Sequence, residues 1–268
     1  MAMVCAAPKK LFLRSDSPLS WRAMAPFATT WPWIGLGAAG ILLILLAAGN
    51  GLQTDRSVSR WRDMTWLVWL GVAAYLLHQF EEHGVDLLGE PYAFRGELCA
   101  TLGFRDAASC PIPFSFITAV NVGSVWGAGL ISALLAPRRP LIGLAFFAIP
   151  LVNLFAHVGP AVVARHYNPG LLTAVAIFLP LSLWTLFVAA RRYGAGLRAI
   201  LATALAGVVV HAVLMGSLIA YLHSWFGEAT LATIQILNAC VPAGLMWLAT
   251  RGVASPPGAR LSRLSETA

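Results

Sequence analysis

Four side chains in the stretch AYLLHQFEEHG, residues 74–84, can move protons or hold a cation: His78, Glu81, Glu82 and His83. They close a long apolar run. On a helix, positions three and four apart share a face, so Glu81 and Glu82 both flank the His78 imidazole, Tyr75 and Asp86 extend the stripe, and His83 points elsewhere, toward the helix end. A charged carboxylate deep in a bilayer costs roughly 2.5–3.5 kcal/mol, and two side by side repel. A metal, a proton, a basic partner or interfacial water must offset that. Histidine with glutamate is a donor set for a borderline divalent cation, zinc, iron or manganese, rather than magnesium. The spacing is not the HExxH of a metalloprotease, and the repeated ExxH of di-iron bundles is missing. Without a metal the same groups are general acids and bases, able to protonate an alkene or stabilise a carbocation in an apolar pocket.

Partners occur at similar depth in other apolar runs. Asn153 and His157 are four apart on one face; Asn121 lies between Thr118 and Ser124; His211 sits nearer the middle of its run; Gln235 and Asn238 lie in the outer half of the last. A lone histidine in an apolar helix is more often packing than ligand. A His–Glu set on one helix with His157 on another points to a built site. The expected catalytic residues are His78, Glu81, Glu82 and His157, which are also the expected metal ligands. Tyr75, Asn121, Asn153, Tyr167, His211 and Asn238 are expected to bind or orient a substrate.

The elements that must position these residues are membrane helices. The chain has 268 residues, 59% hydrophobic and 11% charged, with a mean hydropathy of +0.75. Soluble domains average about 25% charged. Seven runs of roughly 20 residues qualify as spans: 32–49, 64–88, 113–136, 140–164, 170–190, 199–224 and 229–250. The expected fold is all-α, a polytopic transmembrane bundle of about seven helices. The formal charge of +7 resides in short clusters flanking the apolar runs, so it argues for membrane lipids as partners and not for nucleic acid.

Those clusters set an expected topology. Arg56, Arg60, Arg62, Arg138, Arg139, Arg191, Arg192, Arg198, Arg251, Arg260 and Arg263 follow spans 1, 3 and 5 or lie in the C-terminal tail; only Arg95, Arg105 and Arg165 follow spans 2, 4 and 6. The first set is expected in the cytoplasm, the membrane being the plasma (inner) membrane. Lys9, Lys10, Arg14 and Arg22 in the N-terminal tail oppose this unless translation starts at Met24 or span 1 does not cross. The tail reads as an anchor and not as a signal peptide. The longest polar loop, 89–112, then faces outward, where Cys99 and Cys110 either pair or stay as two free thiols. The chain divides into a tail that is disordered or mis-started (1–31), an extra helix and loop (32–63), a core bundle (64–225), a last helix (226–250) and a basic tail (251–268).

HQFEE, with His157 and the YNPG of Tyr167, Pro169 and Gly170, resembles the HXXEE-domain family of integral membrane proteins, whose pattern is HxxEE, a second histidine and YxPG. The resemblance covers about residues 65–225. It implies a membrane protein of enzymatic character, supports the site residues and names no reaction. YNPG also has a plain reading as a turn between helices 4 and 5, placing Tyr167 and His166 beside the outer mouth of the site. The expected function is a membrane enzyme, metal-dependent or acid–base, acting on a lipid or isoprenoid-like apolar substrate. The alternatives are a transporter or proton/metal carrier, and a non-catalytic assembly subunit. A pocket lined by Glu81, Glu82 and His157 favours the enzyme, an open tunnel the carrier, and no cavity the subunit.

Overall fold

The computed structural model describes residues 18–104 and 109–253, with side chains from residue 27 onward. The tail residues Lys9, Lys10 and Arg14, the loop residue Arg105 and the C-terminal Arg260 and Arg263 lie outside them. The described residues are 76% helical, with no strand among them. Eight helices follow one another: α1 Pro18–Ala48, α2 Met64–His83, α3 Ala93–Thr101, α4 Phe114–Leu135, α5 Pro140–Ala164, α6 Leu171–Tyr193, α7 Leu197–Leu222 and α8 Glu228–Ala249.

Six of them are long and apolar enough to cross a membrane: α4 to α8, and α1 over Phe27–Ala48. The seventh expected span is α2. Its 20 residues reach about 30 Å, but five of its last six residues are polar. Fifteen of its twenty residues are buried, because α1, α3, α4, α5 and α6 all pack on it. Its polar end therefore meets protein instead of lipid, the arrangement intramembrane charges require. Asp63 starts α2 by accepting from the Trp66 N–H at 2.9 Å. The first helix begins at Pro18, well before the expected position 32.

Small residues let the outer helices close in. A Cβ on Gly207 of α7 would lie 2.1 Å from the Ala148 carbonyl oxygen of α5. Gly123 and Gly127 of α4, small residues that permit close packing, sit against Ile236 and Ala239 of α8. Two helices depart from regular α geometry: α4 is π-helical over Ala119–Trp126, where it packs on α8, and α6 over Ala174–Phe178, where it packs on α2 and α5. Such wide turns are frequent at functional sites. The polar 89–112 loop is not all irregular. Its middle forms α3, pinned by a Cys99–Cys110 disulfide with Cα atoms 5.9 Å apart.

Candidate functional site

The end of α2 next to α3 carries the polar cluster. Spacing alone places Glu81 and Glu82 on the same side of His78, yet the two carboxylates face different neighbours. Glu81 turns to the start of α6. Its Oε1 accepts from the Tyr167 hydroxyl at 2.9 Å and the Leu172 N–H at 3.0 Å; its Oε2 accepts from the Thr173 N–H at 2.8 Å and the Thr173 hydroxyl at 2.5 Å. Four donors saturate it. It holds the first turn of α6 onto α2, and it is absent from the group of ligand atoms that converge nearby.

That group is His78, Glu82 and His157. Among the described residues, these three offer ligand atoms within 4.8 Å of one another, and all three are buried. Glu82 Oε2 lies 3.4 Å from His78 Nε2, and Glu82 Oε1 lies 3.1 Å from His157 Nε2. The other ring nitrogen of each histidine is committed. Asn168 donates its Nδ2 to the His157 carbonyl oxygen at 2.9 Å, which fixes its amide orientation; its Oδ1 therefore accepts from His157 Nδ1 at 2.8 Å. His78 Nδ1 lies 2.8 Å from the Thr173 hydroxyl oxygen. The single hydroxyl proton of Thr173 faces two acceptors, Glu81 Oε2 and the Gly170 carbonyl. His78 Nδ1 must therefore be the donor. In the neutral imidazoles both Nε2 atoms are then bare lone pairs. His78 Nε2 is buried without a hydrogen-bond partner.

Two lone pairs thus converge on one carboxylate. The separations, 3.1 and 3.4 Å, run to the two different oxygens of Glu82, and one ligand atom from each residue lies within 4.8 Å of the others. The outward N–H bonds, one to an amide oxygen and one through Thr173 to Glu81, are the outer contacts that metal-binding histidines ordinarily make. His78, Glu82 and His157 are the residues that would hold a metal here.

Gly170, the last residue of YNPG, lies against all three. It adopts φ +94°, and a Cβ there would lie 2.7 Å from His157 Cε1, 2.8 Å from Glu82 Cγ and 2.8 Å from His78 Cε1. The turn is more than a connection between helices: its asparagine orients His157, its tyrosine binds Glu81 and its glycine fits beneath the imidazoles. The connector also presents Tyr167 at the surface, where its hydroxyl accepts from the Leu87 N–H at 3.1 Å. Burial, reinforced by the Glu81 carboxylate, raises the Tyr167 phenol above its ordinary range.

His83 differs from expectation. Its Nε2 lies 3.5 Å from Glu82 Oε2 and 3.1 Å from Asn121 Nδ2. A relay fixes that amide: Trp126 Nε1 donates to Gln79 Oε1 at 2.6 Å, Gln79 Nε2 donates to Asn121 Oδ1 at 2.9 Å, and Asn121 Nδ2 donates to the Ile117 carbonyl at 2.9 Å. Asn121 also offers a donor to His83, whose Nε2 is then an acceptor. Asn121 is thus fully engaged in holding His83. The position after two glutamates on the same helix carried no sign of this; the signal lies in the bulge of α4.

A cavity of about 260 Å³ opens on this cluster. Tyr75, Glu82, His83, Asn121, Asn153, His157, His211 and Asn238 line it, with apolar residues of α4, α5 and α7 between them. Glu81, Tyr167 and His78 do not. Tyr75 stacks on Phe178 with ring centroids 5.0 Å apart and meets Phe146 edge-on at 6.0 Å, closing the side away from α3. Asn238 donates to the Val210 carbonyl at 3.0 Å. Glu97 of α3, a residue passed over in the sequence, lines the cavity as well and lies 3.8 Å from His166. Burial raises the Glu97 carboxyl above the usual range, with His166 opposing the shift.

Residues 69–185 match the family model described as a protein of unknown function with HXXEE motif. The match contains HQFEE, His157 and YNPG, the elements that carried the resemblance. No curated protein and no solved structure matches the chain.

Proposed function

We propose that this chain is an integral membrane enzyme whose His78–Glu82–His157 cluster holds one divalent transition metal, zinc, iron or manganese. Its substrate is lipid-like or isoprenoid-like and apolar. The observation that carries the reading is the pair of Nε2 lone pairs aimed at one buried carboxylate, each histidine having its N–H turned outward. Three acceptors converging in a buried place need a cation between them. A bound ion would supply Lewis-acid polarisation of a substrate oxygen or an activated water. The chain's own residues do the rest. Asn168 and Thr173 hold the imidazoles in one tautomer, Glu82 supplies the charge, and His83 beside it is placed to take or return a proton. Tyr75 and the aromatic side chains behind it exclude water. This one-sided closure also supports an enzyme over a carrier.

A second reading has support from the 3.1 Å separation of His157 and Glu82, which is hydrogen-bond length. A proton on Nε2 would make this an ion pair suited to metal-free acid–base chemistry. The disulfide supports placing α3 on the outer side of the plasma membrane, with the loops after the first, third and fifth expected spans in the cytoplasm.

Elemental analysis of detergent-purified protein by mass spectrometry, beside Glu82→Gln and His157→Ala, tests the choice. The metal reading requires near-stoichiometric metal in the wild type and its loss in both variants. A well-folded wild type grown in metal-replete medium that carries none would sink that reading and leave the acid–base one.

A further inference from the structure

The cavity is not sealed by protein on every side. Ala156 and Pro160 of α5 line it and are exposed on the bundle's outer face; Leu214 and Met215 of α7 line it and are half-buried. The seam between these two closely packed helices is lined here by apolar side chains. Its exposed neighbours Phe155, Val162 and Val163 are apolar too, as a lipid-facing surface should be.

Three polar atoms on this flank accept, beside the donor that the Asn153 amide nitrogen adds. Pro160 brings no N–H to the Ala156 carbonyl four residues earlier, so that oxygen loses its helix partner beside the seam. His211 Nδ1 lies 2.8 Å from the Gly207 carbonyl, so Nδ1 carries the proton and Nε2 is an acceptor. Asn153 Oδ1 is buried without a partner. No lysine or arginine lines the cavity among the described residues. An anionic head would find no lysine or arginine on the α5–α7 flank to balance it. An ammonium head would lose its hydration in an apolar sheath at a cost of several kcal/mol. A neutral donor satisfies the acceptors without either cost.

We propose that the site draws its substrate sideways from the bilayer between α5 and α7, and that the substrate is a long-chain alcohol, an apolar chain bearing one uncharged hydroxyl. The hydroxyl donates to the acceptors of the α5–α7 flank, and the carbon that bears it comes to Glu82 and His157. The cavity is just smaller than the about 300–1,000 Å³ of ordinary ligand pockets. It holds the head end, and the rest of the chain stays between the helices in contact with lipid. The inference rests on Glu82 and His157 being the reactive end, as proposed above.

The test uses the full chain in lipid nanodiscs and a diazirine-bearing dodecanol as the probe. Photolabelling is mapped by peptide mass spectrometry, and unlabelled dodecanol, dodecyl methyl ether and dodecyl phosphate compete. The expected result is labelling in the segments 156–160 and 211–215, with the alcohol competing about tenfold better than the ether or the phosphate, the worth of one hydrogen bond. Ala156→Trp, or Leu214→Trp should the first fail to fold, is expected to cut labelling about tenfold while leaving metal content unchanged. Equal competition by the ether, or undiminished labelling in a folded tryptophan variant, overturns the proposal, as does labelling confined to other helices. Metal content measured on the same samples separates the two ideas. A metal-free protein that still prefers the alcohol sinks the metal reading alone; a metal-loaded protein without the preference sinks the alcohol alone.

Discussion

At the scale of single residues, two adjacent glutamates divide the work. Glu82 meets three imidazoles; Glu81 accepts four hydrogen bonds and ties α6 to α2. Thr173 joins the two roles, since its hydroxyl donates to Glu81 and accepts from His78. Thr173→Val keeps the shape and removes the link. If a metal binds, its affinity is expected to fall about 10–100-fold, the usual effect of losing an outer contact; a chelator competition reads this, while the melting temperature falls, a buried N–H without an acceptor costing about 1–3 kcal/mol. His78 and Glu82 were legible as an i, i+4 pair, and His157 stood out as a histidine at matching depth. The division between Glu81 and Glu82 was not, because both lie within one turn of His78. Which one meets the histidines depends on where α6 begins, nearly a hundred residues downstream. Asn168 and Thr173 were invisible for the same reason: short polar residues near a turn are common, and only tertiary contact gives them a role.

At the scale of elements, the connector between α5 and α6 is part of the site. Gly170→Ala must place a methyl group among His157, Glu82 and His78 at a backbone φ of +94°. The left-handed conformation alone costs about 1–2 kcal/mol for a residue with a Cβ. The variant is expected to melt at lower temperature and to lose whatever the cluster binds, measured by thermal unfolding in detergent and by metal content. A variant with wild-type melting and unchanged content would contradict the packing described. YNPG read as a turn in the sequence, and it is one. Its steric fit under the imidazoles was not legible, since a glycine in a turn has an ordinary explanation already. Helices α4 to α8 were legible to within about three residues from composition, the expected 140–164 being Pro140–Ala164, whereas α1 starts earlier and α2 ends sooner than expected. Helix α3 escaped notice because nine residues of mixed character carry no clear period.

At the scale of the whole molecule, the end of the bundle bearing α3 should give stability a pH dependence. Glu97 has its carboxyl raised by burial, so the folded state favours the protonated form more than the unfolded chain does. Its contribution is complete below the ordinary carboxylate range and is lost as pH rises through the raised folded value. Glu97→Gln is therefore expected to melt above wild type at pH 7 and level with it near pH 4, by calorimetry or fluorescence. The reverse order would place Glu97 in a stabilising ion pair with His166 instead. The central position of α2 has a further consequence, for biogenesis. Glu81 finds its backbone donor Leu172 after 91 residues. At about 5–20 residues per second, a ribosome takes about 5–20 s to make that stretch. When α2 is made, α1 is its only earlier neighbour; the amide partner on α4 and the histidine on α5 arrive during that interval, and α6 only at its end. Helix α2 is thus a segment whose integration into the membrane is completed late, by the arrival of the helices that neutralise it, so that a truncated chain ending before α6 leaves its acidic end exposed to cellular quality control.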